Sequence, residues 1–167
     1  ERMGLDPTPS QGNFVLLRSN RSEWLRDALA GLGIAVRIWP QRARLEDALR
    51  IACPGREDAM RRLEHALATA LRPQRLVLSE SAARTLDGEA SLLDAVRKRV
   101  TVLLPTSDWQ ASAERTWCLC DSADQVRAAR AHYAIPLGIR SDPAAGLATA
   151  GVARQLTTPD QLLDLLP

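Results

Sequence analysis

Trp117-Cys118-Leu119-Cys120-Asp121-Ser122-Ala123-Asp124-Gln125-Val126-Arg127-Ala128-Ala129-Arg130-Ala131-His132-Tyr133-Ala134-Ile135-Pro136-Leu137-Gly138-Ile139 is the stretch that decides the fold class. Trp117 to Cys120 is an apolar run of strand length, and Asp121-Ser122 is a polar step suited to cap a helix. Ala123 to His132 reads as that helix, and Ile135 to Ile139 as a second apolar strand. Short apolar strands joined through a helix run parallel, with both faces of their sheet covered. Cys118 and Cys120, two apart in a strand, share a face and read as small buried hydrophobes.

The same rhythm extends outward. Arg75 to Ser79 reads as a strand, Ala90 to Arg99 as a helix, and Val100 to Leu104 as a strand leading into a polar loop through Thr106, Ser107 and Asp108. Downstream, Pro143 to Ala150 is a short helix, Ala153 to Leu156 a strand and Pro159 to Leu166 a helix, with Pro159 in its first position after a Thr158 cap. Upstream of Arg72-Pro73-Gln74 the rhythm differs. A lead-in with two prolines precedes a strand over Asn13 to Arg18. A helix then follows Ser22, read as its N-cap with an acid next to it, with Trp24, Leu25, Ala28, Leu29 and Leu32 at helical spacing. Strands at Gly33 to Arg37 and Ala48 to Ala52 follow, and a helix from about Arg56 to Leu71 closes the block. The expected class is α/β: a small α+β unit over 1–72, then a Rossmann-like parallel-sheet unit over 75–167.

The 167 residues are 46% hydrophobic, enough for a sizeable core, with a net charge of +2. No arginine- or lysine-dense run interleaves with aromatics, which speaks against nucleic acid as a partner. No stretch reaches the length of apolar residues that crosses a bilayer, so a cytoplasmic protein with no membrane partner is expected. Three cysteines do not make a disulfide framework, and His65 and His132 show no zinc-ligand spacing with them.

Two arginines stand out for chemistry. Arg50 lies inside an otherwise apolar strand, Ala48-Leu49-Arg50-Ile51-Ala52, and Arg37 ends another. A guanidinium on a strand calls for a carboxylate or an anion to meet its planar fork. The plain alternative is that Glu46, Asp47 or Glu57 neutralises both. Gly12-Asn13-Phe14, Gly33-Ile34-Ala35-Val36-Arg37 and Leu49-Arg50-Ile51, with the closing helix, resemble in order and spacing the C-terminal small domain of histidinol-phosphate aminotransferases. The resemblance implies a fold-type I, pyridoxal-phosphate-dependent bacterial transferase of amino-acid metabolism that works as a homodimer on a small phosphorylated amino substrate. Arg37 would hold the substrate phosphate and Arg50 its carboxylate or equivalent. A related decarboxylase acting on threonine phosphate shares these motifs, so transamination and decarboxylation both stay open. Such enzymes bind their cofactor through a lysine in a large upstream domain. The only lysine here is Lys98, in Arg97-Lys98-Arg99. The chain is thus expected to be an inactive fragment of such an enzyme, in keeping with its start at Glu1.

The second unit has its own resemblance. Cys120-Asp121-Ser122-Ala123-Asp124, followed by an arginine- and alanine-rich helix and Ile135-Pro136-Leu137-Gly138-Ile139, looks like the last motif of haloacid-dehalogenase-type (HAD-like) phosphohydrolases. There Asp121 and Asp124 would be carboxylates on the magnesium side, as vestiges; read structurally, Asp121 or Ser122 caps the helix and Asp124 favours its N-terminal end. The nucleophile position at the end of the first strand reads Leu78-Ser79-Glu80-Ser81, with serines in place of both aspartates and no base assigned to them. Thr106 or Ser107 would be the second motif, and the phosphate-balancing lysine is missing. The resemblance therefore implies a degenerate HAD-like unit that keeps the fold, with magnesium relevant only if it is active. Three classes of function follow: part of an aminotransferase, a hydrolase using Ser79, or a binding module.

Overall fold

The computed structural model describes residues 5–104, 114–139 and 146–167. In chain order the elements are β1 (Asp6–Thr8), β2 (Phe14–Arg18), α1 (Ser22–Gly31), β3 (Arg37–Ile38), β4 (Ala48–Ala52), α2 (Glu57–Leu71), β5 (Arg75–Leu78), α3 (Glu80–Asp87), α4 (Ala90–Arg97), β6 (Thr101–Leu103), β7 (Thr116–Cys120), α5 (Ala123–Ala131), β8 (Ile135–Ile139), α6 (Leu147–Ala150), β9 (Arg154–Leu156) and α7 (Gln161–Leu165). They form two sheets: an antiparallel one in the order β1-β2-β4-β3, and a parallel one in the order β6-β5-β7-β8-β9. The protein is thus mixed α/β with a Rossmann-like five-stranded sheet, and the change from one sheet to the other falls at Pro73.

The core does not change there. One continuous apolar cluster takes Leu17, Leu49 and Ile51 from the antiparallel sheet, Leu25 and Leu29 from α1, Leu67 from α2, and Leu76, Leu119, Ile135 and Leu137 from the parallel sheet. Helix α1 touches β3 and β4 on one side and β8 and β9 on the other. At its end Gly31 lies so close to the second unit that a Cβ there would meet the Ala153 Cβ at 2.7 Å and Pro136 at 3.3 Å. Asp27 of α1 is ion-paired with Arg154 of β9 as well as with Arg26. The α+β unit thus packs against the parallel sheet of its own chain.

Two indoles lock this junction. Trp24 of α1 and Trp117 of β7 meet edge to face, with ring centroids 4.9 Å apart and an interplanar angle of 62°. Their N–H groups donate to successive carbonyls of the last turn of α2: Trp24 to Ala70 at 2.9 Å and Trp117 to Thr69 at 2.7 Å. A helix leaves its final four carbonyls without intrahelical partners, so each indole meets a need already present.

The parallel sheet is two-sided, as a doubly wound sheet must be. Leu76, Leu78, Trp117 and Leu119 face the main cluster with α3, α4 and α7, whereas Val77, Cys118 and Cys120 face a second cluster with Val126 and Ala129 of α5 and Leu147 and Ala150 of α6. Right-handed crossovers running in opposite directions from β5 require this split of helices between the faces. Pro136 sits in a central strand because its missing N–H falls just before the ladder to β9, which starts at Leu137 opposite Arg154.

Several local expectations change. Strand β1, Asp6–Thr8, forms where the prolines suggested only a lead-in, and it takes an edge position, where proline is tolerated. Ser22 is not the cap of α1: that position is Arg21, and the Ser22 hydroxyl instead donates to the Glu46 carbonyl at 3.2 Å. The ladder of β3 covers only Arg37–Ile38. Helix α3 forms where the sequence shows no apolar stripe, with Ser79 capping it by accepting from the Ala82 N–H at 3.1 Å. Helix α7 starts after Asp160 rather than at Pro159, and Gln161 reaches back to the Thr157 N–H at 2.8 Å. Thr106, Ser107, Asp108 and Pro143 lie outside the described residues.

Candidate functional site

The register of the antiparallel sheet places Arg37 of β3 directly opposite Arg50 of β4, and Leu16 of β2 opposite Arg50 on its other side. Directly opposed residues of an antiparallel pair project to the same face, with Cβ atoms about 5 Å apart. Core residues Leu49 and Ile51 flank Arg50 and point inward, so Arg37 and Arg50 stand together on the outer face. The two arginines singled out by sequence, 13 positions apart, are cross-strand neighbours.

Each guanidinium lies over its own aromatic ring: Arg50 is 4.3 Å from the Phe14 ring centroid and Arg37 is 5.5 Å from that of Trp39. Phe14 is held by the chain before it. The Ser10 hydroxyl donates to the Phe14 carbonyl at 2.7 Å and accepts from the Gly12 N–H at 3.2 Å, and the Asn13 carbonyl accepts the Cys53 N–H at 2.8 Å. Gly12-Asn13-Phe14 is thus the turn that delivers the ring under Arg50.

The carboxylates suspected of neutralising these arginines are engaged elsewhere. Asp47 pairs with Arg18 at 2.6 Å, Glu57 pairs with Arg61 within α2, and Glu46 is exposed. Among the described residues no carboxylate lies within ion-pair distance of Arg37 or Arg50. Like charges directly opposite each other disfavour the sheet unless something anionic screens them. The outer face therefore presents two guanidinium forks, held by aromatic rings, to whatever anion reaches it.

The parallel sheet offers a second location. Connections leave β5 towards β6 on one side and run from β7 towards β9 on the other, so the switch point lies between the carboxyl ends of β5 and β7, where such sheets place ligands. Ser79 follows β5 and Asp121 follows β7. The Ser79 hydroxyl donates to Asp121 Oδ2 at 2.8 Å, and the Ser81 hydroxyl donates to the same oxygen. Gln125 accepts the Asp121 N–H at 2.9 Å, and Ser122 caps α5 by accepting the Gln125 N–H at 3.4 Å. A cavity of about 100 Å³, lined by Val77, Ser79, Cys118, Cys120 and Gln125, opens beside this cluster.

No base for Ser79 or Ser81 is visible from neighbouring residues; the fold sets the Asp121 carboxylate against both, through a β5–β7 pairing that joins positions 40 and 42 residues apart. The arrangement is nonetheless that of a clasp. The carboxylate oxygen that takes the Ser79 proton also takes that of Ser81, and the Ser79 oxygen accepts from the Ala82 N–H, so the three side chains tie the carboxyl ends of β5 and β7 together. Asp124 is not drawn into the cluster: its exposed carboxylate pairs with Arg127 at 2.6 Å in the first turns of α5. Among the described residues no group of three or more His, Cys, Asp or Glu is assembled for a metal. Asp121→Ala should lower stability by about 1–3 kcal/mol, the range for stranding buried hydroxyl partners, while Asp124→Ala should change it by less than about 0.5 kcal/mol; urea unfolding of both variants tests the contrast.

Cys118 and Cys120 are buried as expected, 2% and 1% exposed, and Cys53 is half-buried. Burial, and secondarily the neighbouring Cys120 thiol, push the Cys118 thiol well above its ordinary value of 9.0. A folded-state pKa raised above the unfolded one gives stability that is fully present below about pH 9 and is lost as pH rises beyond it, because only the unfolded chain ionises. The melting temperature should therefore fall between pH 9 and 10.5 more steeply in the parent protein than in Cys118→Ala. At pH 8 a thiol reagent should label Cys53 first, with the other two reacting only on unfolding.

The fold class is that of a doubly wound α/β sheet sharing its core with an arginine-faced antiparallel sheet. Comparison with family profiles, curated proteins and solved structures finds no match to this chain. Among the described residues, no helix is long and apolar enough to cross a membrane.

Proposed function

We propose that the outer face of the antiparallel sheet is the substrate-anion site of a pyridoxal-phosphate-type aminotransferase or decarboxylase, acting on a small phosphorylated amino compound. The observation that carries this is the cross-strand pairing of Arg37 with Arg50, without a carboxylate partner among the described residues. In this reading Arg37 grips the phosphate and Arg50 the carboxylate or its equivalent, each by charge-assisted hydrogen bonds from a fork placed over its ring. The cofactor supplies the electron sink of such chemistry when bound. The lysine that would carry it does not come from these residues at this face. Lys98, the only lysine, is exposed at the end of α4, in the layer against the parallel sheet. The chain's own part is to bind and orient the anion, in a homodimeric cytoplasmic parent enzyme, with the degenerate parallel-sheet unit as the support behind α1. Calorimetric titration of the chain with phosphoethanolamine and phosphothreonine tests the reading. Saturable binding lost in Arg37→Ala and Arg50→Ala supports it, and binding indifferent to both substitutions sinks it.

A further inference from the structure

On another side of the molecule, where the ends of α1 and α5 approach α2, a groove of about 370 Å³ is lined by Leu32, Gly33, Arg62, Arg127, Arg130 and Tyr133. We propose that it binds a small-molecule phosphomonoester, its phosphate between Arg62 and Arg130 and its organic part along the Tyr133 ring. Nothing in the aminotransferase reading concerns these residues, and the inference stands apart from it.

The two arginines are placed rather than loose. Arg62 Nη2 donates to the Leu32 carbonyl at 2.8 Å, and Arg130 Nη1 donates to the Ala150 carbonyl at 2.9 Å. Each bond fixes one corner of a guanidinium that carries five donors. Both Nη2 atoms, including the one by which Arg62 holds Leu32, lie within 3.7 Å of the point where a Cβ on Gly33 would stand, so the two guanidinium groups flank one spot. Gly33 keeps that spot open and holds φ at +75°, a conformation other residues resist. Gly151, with φ +89°, does the same on the far side of Arg130, since a Cβ there would fall on the guanidinium.

Tyr133 completes the groove. It is one of two non-glycine residues with positive φ among the described residues, at +57°, and it is 54% exposed. Its ring lies 5.9 Å from the Arg62 guanidinium. Tyr133 is the left-handed residue that ends α5, its N–H donating to the Arg130 carbonyl and the next N–H, of Ala134, to Ala129, and this turn sets its ring beside the Arg62 guanidinium. Arg127 brings a third positive charge, held by Asp124 in an exposed pair that an incoming dianion can outcompete. A phosphomonoester dianion with a flat substituent matches two forks beside an aromatic platform; a carboxylate alone would leave the platform unused.

Tyr133 is the only tyrosine in the chain, so the test reads the groove directly. The full 167-residue chain, with 3-fluorotyrosine in place of tyrosine, gives one fluorine resonance, which is followed at pH 7 and fixed ionic strength while adenosine monophosphate or inorganic phosphate is added. The expected result is a saturable shift with the nucleotide, binding about tenfold tighter than inorganic phosphate. Arg62→Gln should weaken nucleotide binding by about tenfold or more, and so should Arg127→Gln to a smaller degree, while the exposed Arg84→Gln leaves it unchanged. Because Arg127 is on the surface, its variant stays folded even if Arg62→Gln loosens α2 from α1. The proposal is overturned by no saturation up to about 20 mM nucleotide, by equal affinity for phosphate and nucleotide, or by an unaltered curve in both arginine variants.

Discussion

Trp117→Ala is expected to lower the unfolding free energy by about 3–5 kcal/mol, the range for removing a large buried aromatic. Trp117 is fully buried in the middle of the parallel sheet, its ring edge meets Trp24, and its N–H meets the Thr69 carbonyl at the end of α2. The substitution removes all three interactions and leaves a cavity where the two units join. A domain of this size is stable by only about 5–15 kcal/mol, so the loss is a large fraction of the whole. Because the core is continuous across Pro73, the urea transition should move to lower midpoint as one step, with far-ultraviolet dichroism and tryptophan fluorescence coinciding. Two separate transitions in the parent protein would show that the halves unfold independently. Trp24→Ala combined with Trp117→Ala should show a coupling of about 0.5–1.5 kcal/mol, the worth of the edge-to-face contact.

Arg50→Ala is expected to weaken binding of a phosphorylated amine by about 10–100-fold, the worth of a charge-assisted, two-pronged hydrogen bond of about 1.5–3 kcal/mol. Arg37→Ala should have the smaller effect, because Arg37 is exposed and its contact with Trp39 is the longer of the two ring contacts. Arg50→Lys discriminates fork from charge: lysine keeps the charge but loses the planar pair of donors, so only part of the affinity should return. Stability should move the other way. Two like charges opposite each other on neighbouring strands disfavour the sheet, so Arg37→Ala in the absence of ligand should hold or slightly raise the melting temperature. A variant that lost binding only by unfolding would instead lose both.

The alternating pattern of core and surface was legible in the chain because strands and helices impose periods of 2 and 3.6 on it. Hence β2, β4, α1, α2, β5, β7, α5 and β8 lie where apolar spacing put them, and Trp24, Cys118 and Cys120 are buried as that spacing required. Helix α3 was missed because only Ala82 and Leu86 of its eight residues are buried, too few for a periodic stripe. Strand β1 was missed because Pro7 argues against a strand, and only its pairing at a sheet edge makes room for it.

Residue identity alone marked Arg37 and Arg50, since a guanidinium on an apolar strand demands a partner. Their register was another matter: that they stand opposite each other, with Asp47 and Glu57 engaged elsewhere, depends on which strands pair. Asp121 reaching Ser79 and Ser81 depends on the parallel β5–β7 alignment, and the groove between Arg62 and Arg130 on helices brought together from positions 68 apart. Local sequence determined which elements form and which face of each is apolar, because those preferences act over a few residues. Only the tertiary structure decided which charged and polar groups meet, because contact between distant residues is set by how complete elements pack.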